Sequence, residues 1–333
     1  MAPFVGSPTI EKWARNNGFS APNVYVDATP PNIRQALGES RQGLYLLEFT
    51  NNDIYIGIAS DMSRRLPQHR TRWPDIETVR LQHSGDAELR VIERDLVRNA
   101  QSRGIVVRNR EHAHGHTGPS TLDQLVPVAE QEIWRRDPAQ ANNADAASLI
   151  DLGPSQLAAH AHDFHRFREL PGHEELLRFL GNYLMACVPL PRRTEGTFWT
   201  VSCFPSSNKA RVFCVSMAGM ETLFCYHDPE SATYGAAMFV DRRKLAAAPW
   251  SRISTRIRGI KRTEQRHKYA GPFEQGLRAD GLASMNAVLQ RSDIMAAAAS
   301  FNLDLMRKRQ SAYKQSHCRQ LAEAALEAAA HQP

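Results

Sequence analysis

Gly43-Leu44-Tyr45-Leu46-Leu47-Glu48-Phe49-Thr50-Asn51-Asn52-Asp53-Ile54-Tyr55-Ile56-Gly57-Ile58-Ala59 is the stretch that decides the fold of the N-terminal part of the chain. Two strand-like runs, Gly43–Thr50 and Asp53–Ala59, meet at the turn-forming Asn51-Asn52-Asp53, which predicts a β-hairpin. Side chains alternate faces along a strand, so Leu44, Leu46, Ile54, Ile56 and Ile58 make one apolar face while Tyr45, Tyr55 and Gly57 point the other way. Both tyrosines share a face only if the loop holds an odd number of residues. Asn51-Asn52-Asp53 as a three-residue loop meets that condition and pairs Phe49 with Tyr55 and Leu47 with Gly57. The side chain missing at Gly57 then leaves a hollow between the phenols with room for a phosphate. An ordinary hairpin with two packed tyrosines would read the same way, so the hairpin alone does not define a function.

Working outward, Asp61 caps a helix running to about Arg70, Ile76–Gln82 reads as a third strand, and Ser84-Gly85-Asp86 as turn and cap. Ala87–Ser102 is a helix, with Leu89, Ile92, Leu96, Val97 and Ala100 at helical spacing, and Ile105–Val107 is extended. Residues 8–18 and 31–38 read as short helices. After the module come an exposed loop at 111–120, a helix at 121–135 and an Ala/Asn-rich connection at 137–148, where the domain boundary is expected. Beyond it lie a helix at 174–187, strands between 197 and 240, and helices from about 274 to 330. The fold class is α+β. An N-terminal helical extension (1–40) precedes a small module with a three-stranded antiparallel sheet flanked by helices (41–110). A loop, helix and linker (111–150) then lead to a second α+β domain (151–333), and a length of 333 residues agrees with more than one domain.

Apolar residues make up 42% and charged residues 23%, and no run of about 18 apolar residues exists, so no membrane span is expected. Met1–Gly6 has neither a basic n-region nor a long apolar stretch, which predicts a cytoplasmic protein. The cysteines, Cys187, Cys203, Cys214, Cys225 and Cys318, form no CxxC pair and read as buried reduced thiols. Net charge is +6, yet residues 251–320 alone carry 14 Lys+Arg against 5 Asp+Glu. That stretch holds Arg256, Arg258, Lys261, Arg262, Arg266, Lys268, Arg307, Lys308 and Arg309, which read either as a solvated surface or as contacts to a phosphate backbone.

Three residues outside the hairpin bear on chemistry. Arg65 and His69 lie four apart, hence on one helix face. Arginine offers a permanently charged fork that matches phosphate oxygens, and a histidine one turn on can hold a water or a proton there. Arg64, Arg70 and Arg72 make the same region basic, so a solvated Arg/His face is the alternative. Glu93 falls inside the apolar stripe of its helix, where a carboxylate needs a cation: a divalent metal or a buried arginine such as Arg65. His112, His114 and His116, like His160, His162 and His165, could bind metal, but alternating histidines in a Gly-containing loop also suit a flexible surface.

Gly43-Leu44-Tyr45, then Tyr55-Ile56-Gly57 ten residues on, then Ser60-Asp61-Met62-Ser63-Arg64-Arg65-Leu66, then Val91-Ile92-Glu93-Arg94-Asp95-Leu96-Val97 resembles the GIY-YIG nuclease family over about 70 residues. That family includes intron homing endonucleases, some restriction enzymes and the incision subunit of bacterial excision repair. The resemblance implies a metal-dependent DNA endonuclease. In it Tyr45 and Tyr55 orient and deprotonate the attacking water, Arg65 stabilises the pentacovalent phosphate and His69 assists proton transfer. It further implies that Glu93 binds one Mg²⁺ or Mn²⁺, that Gly43, Gly57 and Asn109 support the site, and that the partner is double-stranded DNA. A catalytically inactive nucleic-acid-binding protein and an RNase are the other readings. Leu44 replaces the usual Ile or Val, Pro67 falls between Arg65 and His69 where it predicts a kink, and the Glu93–Asn109 interval is longer than the family's pattern.

Overall fold

Alternation along residues 43–59 becomes a hairpin in the structure, a computed structural model describing residues 7–24, 42–83, 88–116, 118–138, 154–205, 209–230, 232–245, 260–263 and 267–330. The expected helix at 31–38, the turn at 84–86, most of the 137–148 connection, and Arg256, Arg258 and Arg266 lie outside the described residues. The chain divides into two compact units, Met1–Thr117 and Gly118–Pro333.

In the first unit, helix α1 (Pro8–Asn16) and a two-residue strand β1 (Asn23–Val24) precede the hairpin of β2 (Gly43–Phe49) and β3 (Ile54–Ala59). Tyr45 pairs with Gly57, Leu47 with Tyr55 and Glu48 with Ile54. The expected parity holds, but the register lies two residues from the expected Phe49–Tyr55 and Leu47–Gly57 pairs. The reason is that Phe49 stays in the strand and closes the loop: its N–H donates to the Asp53 carbonyl (3.1 Å), so the loop is Thr50-Asn51-Asn52, and Asn52 takes a left-handed φ of 63°. Helix α2 (Met62–Arg72) follows and runs unbroken through Pro67, its first turn capped by Asp61, which accepts from the Arg64 N–H. Strand β4 (Ile76–His83) completes an antiparallel sheet of order β1-β4-β2-β3, and α3 (Leu89–Ser102) closes the module.

Each face of this sheet has its own core. Leu44, Leu46, Ile54 and Ile56 pack with Trp13 of α1 and with Leu96, Val97 and Ala100 of α3, as the alternation predicts. On the opposite face Tyr45, Leu47 and Phe49 pack with Met62 and Leu66 of α2. Beyond β3 the chain returns at residues 106–108, where the Ile54 N–H donates to Val106 (2.9 Å) and the Arg108 N–H to Ile54 (2.7 Å). A buried ion triad locks the first helix on. The guanidinium of Arg80 on β4, almost without solvent contact, meets Glu48 of β2 and Glu11 of α1.

The second unit begins upstream of the expected boundary, because Leu122, Val126 and Trp134 are buried in its core. The expected helix at 121–135 is a short 3-10 turn at Thr121–Gln124 followed by α4 (Val128–Arg136). Then come α5 (Pro154–Arg168), α6 (His173–Cys187) and the single turn α7 (Pro191–Thr194). Strands β5 (Trp199–Cys203), β6 (Arg211–Met217), β7 (Met220–Asp228) and β8 (Thr233–Asp241) fill the region predicted as strands. After α8 (Arg242–Leu245), β9 (Ile260–Thr263) and β10 (Glu274–Asp280) extend the sheet to the order β5-β6-β7-β8-β10-β9, antiparallel throughout. Residues 274–280 are therefore strand, not the expected helix, because they pair along the whole of β8. Helices α9 (Leu282–Leu289), α10 (Ser292–Lys308) and α11 (Arg319–Ala330) follow, and α10 is buried on nearly every side. All five cysteines are buried free thiols, as expected. The protein is thus mixed α+β, and among the described residues no helix is long and apolar enough to cross a membrane.

Removing one member of a buried ion pair leaves the other charge uncompensated, which costs about 3–5 kcal/mol. Arg80→Ala is therefore expected to destabilise the first unit by about that amount, read by chemical denaturation. A loss no larger than that of an exposed arginine would show that the triad contributes little.

Candidate active site

Tyr45 and Tyr55 leave the same face of the hairpin with ring centroids 6.2 Å apart. Gly57 does not leave the expected hollow. The Tyr45 phenol lies over it so closely that a Cβ at position 57 would collide with the ring and its hydroxyl. The glycine is needed for this approach, and it directs the Tyr45 hydroxyl towards α2, where the oxygen lies 2.7 Å from Nε2 of buried His69. The His69 ring also contacts Tyr55 at 5.3 Å and stacks on Trp73 at 5.3 Å with only 7° between planes. Despite Pro67, the Arg65–His69 face of α2 is presented to both phenols.

Arg65 is largely exposed, yet its guanidinium reaches the phenols; hydrogen bonding to Tyr45 is the main cause of its raised pKa. Glu93, half-buried near the start of α3, is close enough that its charge acts on both tyrosines. Burial first, then the charge of Tyr55, pushes the Tyr45 phenol well above the ordinary tyrosine value, against the pull of Arg65. Tyr55 is raised by burial and then by Glu93. Both phenols keep their protons near neutrality. Burial, with the positive charges of Arg65 and Arg72, moves His69 down to about 4, so at pH 7 it is a neutral imidazole able to accept a proton. A guanidinium only donates, so Arg65 does not compete for the Tyr45 hydrogen, which is available to Nε2.

Asn109 is buried and grips β3 at Ile56, the residue after Tyr55. Its Nδ2 donates to the Ile56 carbonyl (2.6 Å), and its Oδ1 accepts from the Ile56 N–H (3.0 Å). Gly43, with an extended φ of 159°, starts β2 against Gln82 and Met62. Arg64, Arg70 and Arg72 are exposed around the cluster, and the Arg72 guanidinium lies 4.6 Å from the Trp73 ring centroid. Glu93 offers one half-buried carboxylate whose charge is felt by both phenols, and a lone hard-oxygen ligand of this kind suits a cation that keeps most of its waters.

The other sequence-predicted residues divide. The 111–120 loop is not the exposed segment expected: His112 and His114 are buried, and Ala113 between them lies in the core of the first unit. His116 lies 3.2 Å from Arg110. His160, His162 and His165 share helix α5, but His160 bonds the Gln315 carbonyl (3.0 Å) and His165 pairs with Glu169 (3.2 Å). Arg307 and Lys308 are not the exposed phosphate contacts expected. Arg307 is turned inward to Asp123 (3.1 Å) and the Gly118 carbonyl (2.7 Å), while buried Lys308 bonds the Tyr269 carbonyl. Lys261, Arg262, Lys268 and Arg309 are exposed, with Lys261 paired to Asp280 (3.2 Å). A cavity of about 730 Å³ in the second unit, lined by Arg211, Glu221, His267 and Cys214 among others, contains none of the tyrosine cluster.

Trp73 is the contributor not expected from sequence. Its signal was available: Arg65, His69 and Trp73 recur at intervals of four, one face of a helix. No family model, no curated protein and no solved structure matches this chain.

Two outcomes follow from this geometry. Because the folded His69 pKa lies below the ordinary 6.5, acidification from pH 6.5 towards 4 adds a proton to the unfolded chain before the folded one. Stability should fall across that window by up to about 3 kcal/mol, read as a drop in melting temperature, and His69→Gln should flatten that part of the profile. Asn109→Leu strands the Ile56 N–H and carbonyl and should cost about 1–3 kcal/mol, measured by urea denaturation. A neutral result would mean that water replaces the amide.

Proposed function

We propose that residues 41–110 are a GIY-YIG-type nuclease module that hydrolyses phosphodiester bonds of double-stranded DNA with one Mg²⁺ or Mn²⁺. The observation carrying this reading is the contact of Tyr45 of β2 and Tyr55 of β3 with His69 of α2, with Arg65 of α2 and Glu93 of α3 near enough for their charges to act on both phenols. Two phenols, a neutral imidazole, a guanidinium and a carboxylate supply phosphate binding and proton transfer together.

Arg65, exposed on one side, binds a non-bridging phosphate oxygen and gains hold on it as negative charge builds during attack. Water is held at the phenol oxygens. As its oxygen bonds to phosphorus and the bond to the leaving oxygen breaks, its proton passes to the Tyr45 oxygen while the Tyr45 hydrogen passes to His69 Nε2. This relay never requires a free phenolate, in keeping with a phenol whose pKa is raised. Glu93 would hold the divalent ion, which supplies neutralisation of charge developing on the leaving oxygen. Arg64, Arg70 and Arg72 add exposed positive charge to the same region, as contact with a phosphate backbone requires.

Nicking of supercoiled plasmid is the test. The wild-type chain should cut only with Mg²⁺ or Mn²⁺, and Tyr45→Phe, Arg65→Ala and Glu93→Ala should each lower the rate about 100-fold or more, with the melting temperature unchanged in Arg65→Ala and Glu93→Ala. Binding without cleavage under every metal condition would overturn the reading in favour of an inactive binding protein. Preferential cleavage of structured RNA would make the chain an RNase.

A further inference from the structure

We infer that Trp73 is a positioning residue for the Tyr45–His69 pair: its indole fixes the plane of the His69 imidazole so that Nε2 faces the Tyr45 hydroxyl. The inference extends the nuclease reading for its catalytic consequence, while its structural part stands without it.

Trp73 follows the last residue of α2, and its N–H donates to the His69 carbonyl at 2.8 Å, so its backbone is tied to the turn that carries the imidazole. Its ring is gripped from several sides. His69 lies parallel to it, Tyr55 is tilted at 4.9 Å, Phe49 meets it edge-on at 5.5 Å, and the Arg72 guanidinium lies over it. Phe49 is held in turn, since the Arg108 guanidinium sits 3.6 Å from its centroid and is itself anchored by Asp53 (3.0 Å) and Asp75 (2.6 Å). The indole is therefore a fixed wall.

A histidine χ2 torsion is broad and roughly two-fold, so the backbone of α2 alone does not set the ring's plane or choose which nitrogen faces Tyr45. A parallel aromatic surface at 5.3 Å does set the plane. With Tyr45 at 5.4 Å and Tyr55 at 5.3 Å bounding the other approaches, Nε2 stays directed at the hydroxyl. The groups facing His69 are Tyr45 from β2, Tyr55 from β3, and Arg65 and Arg72 from its own helix, with Glu93 of α3 acting on the tyrosines. Both arginines favour a neutral ring, and the indole excludes water from it.

The test is ¹⁵N and ¹H NMR of His69 in the full chain as pH is varied, alongside plasmid nicking. In the wild type, Nε2 should read as the unprotonated, hydrogen-bond-accepting nitrogen, and the ring should titrate near 4. In Trp73→Ala the two tautomers should mix and the titration should rise towards the ordinary 6.5, while Trp73→Phe, which keeps a flat face, should retain the wild-type pattern. Trp73→Leu, which fills space without a ring face, should behave like Trp73→Ala and supplies the same measurement should the alanine variant not fold. Nicking by Trp73→Ala or Trp73→Leu should fall about 100-fold in kcat with little change in KM, its acid limb moving with the His69 titration. An unchanged tautomer and titration in a folded Trp73→Leu or Trp73→Ala protein would overturn the inference and leave Trp73 as packing alone. If the NMR changes occur but the wild type cuts nothing, the positioning role stands and the nuclease reading fails.

Discussion

The architecture of the tyrosine cluster depends on one close approach, that of the Tyr45 ring to the backbone at Gly57. Strand pairing sets these residues opposite one another, and only a position without a Cβ lets the ring lie flat across the neighbouring strand. Laid down in this way, the phenol cannot point out to solvent. Its hydroxyl is carried to α2 and meets the imidazole of His69. The contacts of His69 with Tyr55 and Trp73, and the reach of Arg65 to the same oxygen, follow from that placement. The space that the sequence reading assigned to a phosphate is filled by the phenol itself, so a substrate would approach from the exposed Arg65 side.

Burial and charge act in opposite senses on neighbouring groups here, and the difference is useful. The same dry surroundings that raise both phenols lower the imidazole, so proton donor and proton acceptor are both neutral near pH 7. Arg65 and Arg72 deepen the effect on His69, whereas Glu93 deepens it on Tyr55. An arrangement that was merely hydrophobic would move these groups without sorting them by role.

Much of this was legible in residues 43–102. Period-two alternation gave the hairpin and its two faces, Asp61 gave the start of α2, and the four-residue spacing of Arg65 and His69 gave their common face. The register was not legible. Whether the loop begins at Thr50 or at Asn51 depends on the hydrogen bond from Phe49 to Asp53 and on Asn52 adopting a left-handed conformation, neither of which residue alternation specifies. Trp73 went unread because an aromatic at the end of a helix looks like core. The histidines at 112 and 114 suggest a surface because alternating polar residues in a Gly-containing loop carry no sign of burial, yet both are buried around a core alanine, Ala113. In the second unit, Arg307 and Lys308 belong to a run whose charge suggested an outer surface. A helix buried nearly all round leaves such side chains no outward direction, and they satisfy carboxylate and carbonyl groups within the unit.

Asn109 has a consequence of another kind. Strand β3 bears Tyr55 and stands at the margin of its sheet, where unsatisfied N–H and C=O groups invite a strand from another chain to add on. A further full strand would remove that hazard but would also crowd the strand that carries Tyr55. Here residues 106–108 bond Ile54, and one carboxamide offers Ile56 a donor and an acceptor in the positions a neighbouring peptide would occupy. The backbone at 106–108 and one carboxamide thereby cover this part of the margin against unwanted oligomer growth, and Tyr55 stays half-buried without a full strand beside it.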